Sequence, residues 1–120
     1  MTQNFRHFQT QADPFGRVWD VEFRWQQNGI SIRHADTVDV KFDVAAADEP
    51  KQEKVIALTH PHLVKLSGEL GVPLSDPWCM KLAALHLTHM IETDEDMERT
   101  LVTPSYTELA GYARQLQQAA

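Results

Sequence analysis

Six histidines and one cysteine are the residues of this chain best suited to chemistry, and their spacing limits what that chemistry can be. His34 and Asp36 stand two apart in a stretch with strand-like alternation. Residues so spaced share a strand face about 7 Å apart at Cα. An imidazole and a carboxylate can meet there, and the carboxylate can set the tautomer of a histidine acting as general base. The parity of the neighbouring apolar residues puts both on the inward face. The plainer readings are a strand that bends or frays at this point, or a hydrogen bond that serves structure alone.

His60 and His62 flank Pro61 at a strand-to-helix junction, and His86 and His89 lie three apart on a helix. Neutral imidazole is a common transition-metal ligand, which makes His60, His62 and His89 candidate metal ligands. Their pattern is weak for that purpose. His86 and His89 diverge by about 60° around the helix, and neither an HExxH nor a cysteine pair accompanies them. His86 falls in the middle of an apolar surface, where a core histidine with a satisfied N–H is the ordinary outcome. It is also the helix histidine that could join His34 and Asp36 in a catalytic site. Cys79 lies on the same side of that helix. Seven residues of helix separate the two by about 10 Å, too far for a thiol–imidazole pair. Asp94, Glu95, Asp96 and Glu98 lack the glycine and alternating oxygen ligands of an EF-hand loop. The chain has no glycine-rich phosphate loop, G-x-S-x-G or CxxC. No catalytic constellation passes the spacing test, so catalytic and metal sites are expected to be absent and no cofactor is implied.

The element that must position most of these residues runs from Asp76 to Thr93, DPWCMKLAALHLTHMIET. Asp76 suits an N-cap, Pro77 the first helical position, and Lys81 to Leu85 are strong helix formers. Apolar residues occupy most of the circumference, which predicts a buried central helix over 77–92 covered on more than one side, with Leu82, Leu85, His86 and Met90 inaccessible. Before it, Asn4 to Gln11 could form an edge strand, and Asp13-Pro14-Phe15-Gly16 is a turn signal. In Arg17 to Gln27, Trp19, Val21, Phe23 and Trp25 alternate with polar residues, as in a half-buried strand. Asn28-Gly29 reads as a two-residue hairpin turn. It would pair Trp25 with Ile32 and Phe23 with His34, setting the odd apolar face of one strand beside the even apolar face of the strand from Ile30 to Val44. A further strand is expected over 53–59, then a helix from His60-Pro61 to Leu70 stopped by Gly71. Thr93 or Asp94 reads as the cap of a new short helix, because acidic residues suit a first turn. Leu101 to Pro104 reads as a connector, and Ser105 with Glu108 as the capping box of a last helix from Tyr106 to about Gln118.

Strands first and helices after predict a single α+β domain over residues 1–120. Its expected form is an antiparallel meander of about four strands covered on one face by three to four helices. The net charge of −6 argues against a general nucleic-acid binder. No stretch is apolar enough for a membrane span, and the N-terminus lacks a signal-like apolar run, so a cytoplasmic location is expected. Three tryptophans and five phenylalanines in 120 residues, together with an available sheet edge, point to a binding or interaction domain. Its partner is a second protein or another copy of itself in a homodimer. The competing expectation is a small-molecule or metal-dependent enzyme using His34, Asp36 and a helix histidine. A wet cleft with converging histidines would favour it, and a packed apolar core there would favour the binding domain.

Overall fold

A computed structural model describes residues 5–29, 36–47 and 49–119. Among them five strands form one mixed sheet in the order β1-β2-β3-β4-β5. These are β1 (His7–Gln9), β2 (Trp19–Gly29), β3 (Thr37–Ala46), β4 (Gln52–Thr59) and β5 (Leu101–Val102). The first four make the expected antiparallel meander, and β5 joins β4 in parallel. Three helices, α1 (His60–Leu70), α2 (Asp76–Thr93) and α3 (Tyr106–Ala119), complete the α+β fold.

The helices take their bounds from local chemistry. Pro61 sits in the first turn of α1, and Gly71 ends it at φ 65°, in the left-handed region that glycine enters without steric cost. In the capping box of α3, Glu108 N–H donates to the Ser105 hydroxyl at 3.1 Å and Ser105 N–H to the Glu108 carboxylate at 3.0 Å. Ser75, not Asp76, is the N-cap of α2, its hydroxyl accepting from Trp78 N–H, while Asp76 adds negative charge to the first turn. At the other end Asp94 does not open a new helix. It closes α2 at φ 58°, and its N–H reaches the carbonyls of Ile91 and Met90. Aspartate is among the few residues that tolerate this conformation, and closing the backbone outweighs an unfavourable charge at the helix end. Among the described residues no helix forms between 94 and 100. That segment is tied down by the buried Lys54 of β4, whose ammonium donates to the carbonyls of Met97 and Arg99. Val55 N–H then donates to Thr100 O at 2.7 Å, which draws Leu101 and Val102, read from sequence as a connector, into the sheet.

The hairpin register departs from expectation. Asn28 and Gly29 belong to β2, paired with Val38 and Thr37, and the connection to β3 spans residues 30–36. Ile30, Ile32 and His34 lie outside the described residues. Phe23 pairs with Phe42 and Trp25 with Lys41. An Asn-Gly pair tolerates a tight turn without demanding one. The register is set instead by burying Val38, Val40, Phe42, Val44 and Ala46 against the odd face of β2. β1 is also shorter than expected, His7–Gln9 instead of 4–11.

A β-bulge at Arg24 accompanies this register. One extra residue inverts the side-chain alternation beyond it. Trp19, Val21 and Phe23 face the helices, whereas Arg24 and Trp25 both stand opposite Lys41 on the other face, with Trp25 39% exposed. Gln26 turns inward opposite Val40, and its amide reaches Asp76 of α2 at 3.4 Å.

The core lies between the sheet's inner face and the helices, with α2 at its centre. Ten of its residues are buried, among them Cys79, Leu82, His86, Leu87 and Met90, against Leu63 and Leu66 in α1. Leu85 is half-buried on a shoulder of the helix, a correction to the expected inaccessible side chain. Leu82→Ala is therefore expected to cost about 2–5 kcal/mol in urea unfolding, as for a filled core site. Leu85→Ala is expected to cost clearly less.

Candidate functional site

Among the described residues the chemically suited side chains separate into groups that do not meet. His86 is buried on α2 under α3, with its Nδ1 2.9 Å from the Tyr112 hydroxyl and 3.8 Å from a Glu108 oxygen. Burial holds the imidazole below the usual histidine range, against an opposing pull from Glu108. Burial, with the charges of Glu108 and Glu95, pushes the Tyr112 phenol above its usual range. Both shifts favour neutral partners. The contact is a neutral hydrogen bond that seats α3 on α2, and it activates neither group as a base or nucleophile. His86 Nε2 is buried and has no hydrogen-bond partner among the described residues. His89 is one turn further along the helix, its ring 6.3 Å from that of His86 and its Nε2 3.2 Å from exposed Glu95.

The other candidates are dispersed. His60 begins α1, and its N–H donates to Asp36 O at 2.8 Å. His62 packs edge-on against Tyr106 with ring centroids 5.4 Å apart, and the Tyr106 hydroxyl donates to Glu69 at 3.1 Å. Among the described residues no group of three or more His, Cys, Asp or Glu is placed to hold a metal ion, so His60, His62 and His89 are not brought together. Asp36 is exposed ahead of β3 and is not on the inward face. Its pairing with His34 lies outside the described residues. Burial pushes the Cys79 thiol up to about 11, which keeps it an unreactive core group. A cleft of about 260 Å³ opens beside the bulge, between Phe23, Trp25 and Gln26 of β2 and Asp76, Pro77 and Met80 of α2. Among the described residues no histidine lines it.

The feature that sequence reasoning missed is the sheet's outer face. The helices pack on the face carrying Val21, Val40, Phe42 and Ile56. On the opposite face the strand register builds two rows that cross the strands. One is Trp25–Lys41–Val55–Leu101, each residue directly opposite the next across β2, β3, β4 and β5. Trp25 and Leu101, at its two ends, are 39% and 55% exposed. The Lys41 ammonium lies 5.9 Å from the Trp25 ring centre and 2.9 Å from Glu53. The second row is His7–Glu22–Asp43–Glu53 across β1 to β4. Arg24 reaches into it, 2.9 Å from Glu22 and 3.5 Å from Asp43. Its hydrogen bond holds Glu22 below the usual carboxylate range. No local motif announces either row, because each exists only once register and bulge are known. The available signal was the acidic parity of Asp20 and Glu22 and of Asp39 and Asp43 on neighbouring strands.

The neutral state of His86 makes a pH prediction. A histidine whose folded value lies below its ordinary 6.5 leaves the unfolded chain binding more protons over the interval between the two. The stability it contributes is complete above 6.5 and is lost as pH falls from there through the lowered folded value. Thermal melts from pH 7.5 downward are expected to show the parent losing stability faster than His86→Asn, so that the difference between the two narrows.

Compared with family models, with curated proteins and with solved structures, the chain matches none.

Proposed function

We propose that this chain is an interaction domain that binds another polypeptide through the open face of its sheet. The observation that carries the reading is the row Trp25–Lys41–Val55–Leu101, which sets two exposed large apolar side chains on a solvated face. Tryptophan is the side chain most enriched where proteins bind, because its large ring buries much area at little entropic cost. The bulge strengthens the point. Continued alternation would have turned Trp25 into the core, and bulges are a common device for re-aiming a side chain. The plainer role for Trp25 is to cover the stem of Lys41, but that role does not account for Leu101 at the far end of the row.

The sheet edges support the face over an edge as the docking surface. β1 has three residues and β5 two, and edges that short offer little ladder to an added strand. The rival enzyme reading draws less support. Its buried histidine is held neutral by burial and hydrogen-bonded to a tyrosine, and among the described residues the cleft beside the bulge has no histidine.

The test is site-specific photo-crosslinking in the native host, with the photoreactive residue at Lys41 or Val55, or at Gln115 on the helical side. Polypeptide adducts from the two sheet positions and none from Gln115 are expected. Adducts from Gln115 alone, or none from either sheet position, would overturn the reading.

A further inference from the structure

The row Glu22–Asp43–Glu53 sets three carboxylates directly opposite one another across three adjacent strands. Like charges in that relation destabilise a sheet. Asp20 and Asp39 extend the same face, Asp20 held by His7 at 3.0 Å and Asp39 by the Thr37 hydroxyl at 2.8 Å. Against these five carboxylates the described residues of the face offer the cations Arg24 and Lys41, each already shared with row members, with Lys51 acting on Glu22 from the rim. The face is therefore acidic, and its negative charge is gathered beside the apolar row.

We propose that the partner is a basic amphipathic helix of another protein, lying across the strands with its apolar stripe on Trp25–Leu101 and its lysines or arginines on Glu22–Glu53. The proposal rests on the reading of the open face as the docking surface and adds the chemistry of what docks there. The two rows run side by side and perpendicular to the strands. Three interstrand steps of about 4.8 Å give a row length near 14 Å, close to the length of a helix of about ten residues. A helix that is apolar on one side and basic on the other offers both rows at once. A second copy of this chain fits less well, because it presents the same surface and so brings no basic row to meet the acidic one. Charge complementarity of this kind speeds encounter, rejects wrong partners and weakens with salt.

Three synthetic peptides of about 18 residues, long enough to sustain a helix, supply the probes. One has leucine on a helical stripe with lysine elsewhere, the second has glutamate in place of lysine, and the third scrambles the first so that no stripe remains. Titration calorimetry against the full chain is expected to show the striped lysine peptide binding about tenfold or more tighter than either of the others, with affinity falling as salt rises. The triple variant Glu22→Gln, Asp43→Asn, Glu53→Gln is expected to lose about tenfold of that affinity and most of the salt dependence. Trp25→Ala is expected to lose affinity while keeping the salt dependence. If the triple variant fails to fold, Glu53→Gln with Asp20→Asn at exposed positions makes the same comparison. Glu69→Gln, Glu92→Gln and Glu95→Gln together remove equal charge on the helical side and are expected to leave binding unchanged.

Equal binding of the striped and scrambled lysine peptides would overturn the proposal, as would equal loss from the two triple variants, since either means attraction to net charge alone. A dimer in sedimentation equilibrium that dissociates on Trp25→Ala would overturn it in favour of a second copy. If crosslinks form at Lys41 or Val55 but the peptides show no preference, the face is an interface and its partner is not basic. If both experiments fail, the docking surface itself is wrong.

Discussion

The packing of α2 across the inner face of the sheet is the constraint on which the rest of this structure depends. Leu82, Leu87 and Met90 fill the space over Val40, Phe42, Ile56 and Leu58, and all are shielded from solvent. Burying side chains of that size is the largest favourable term available to a chain of 120 residues. α3 packs against α2 and α1, α1 packs on β4, and a neutral hydrogen bond between His86 and Tyr112 seats α3 on α2. Because the three helices of the described residues lie on this one side, no described element covers the other face of the sheet. Antiparallel strands such as β1 to β4 tolerate that arrangement when the open face is polar, and here it is polar apart from Trp25, Val55 and Leu101.

Register follows from the same demand. The even residues of β3 from Val38 to Ala46 must face α2, and β2 must match them with Trp19, Val21 and Phe23. The bulge at Arg24 then releases β2 from its own alternation. Gln26 faces inward at the rim, where its amide donates to Asp76 at the start of α2. Trp25 faces outward with Lys41 beneath it. One inserted residue therefore links the helix start, the cleft beside it and the exposed tryptophan.

What was legible in the sequence was what neighbouring residues decide among themselves. The capping box at Ser105 and Glu108, the turn whose Gly16 N–H closes on Asp13 O, the glycine stop of α1 and the wide apolar surface of α2 all depend on residues within a turn or two of each other. The Asn28-Gly29 turn failed for the opposite reason. Its local preference was real but permissive, and pairing over the whole length of β3 overrode it. β5 was illegible because it exists through Lys54 and Val55, more than forty residues earlier in the chain. The two rows of the open face were beyond reach for a related reason, since they join residues from four strands whose relative register had first to be known.

The central claim is that the bulge turns Trp25 out of the core and onto a free surface. Acrylamide quenching of tryptophan fluorescence tests it most directly, because Trp19 and Trp78 are buried at 3% and 9% exposure while Trp25 is 39% exposed. The folded parent should show one readily quenched component, and Trp25→Phe should abolish that component without lowering the melting temperature. A parent whose fluorescence resists acrylamide until it unfolds, or a Trp25→Phe variant that loses stability as a core substitution does, would contradict the account.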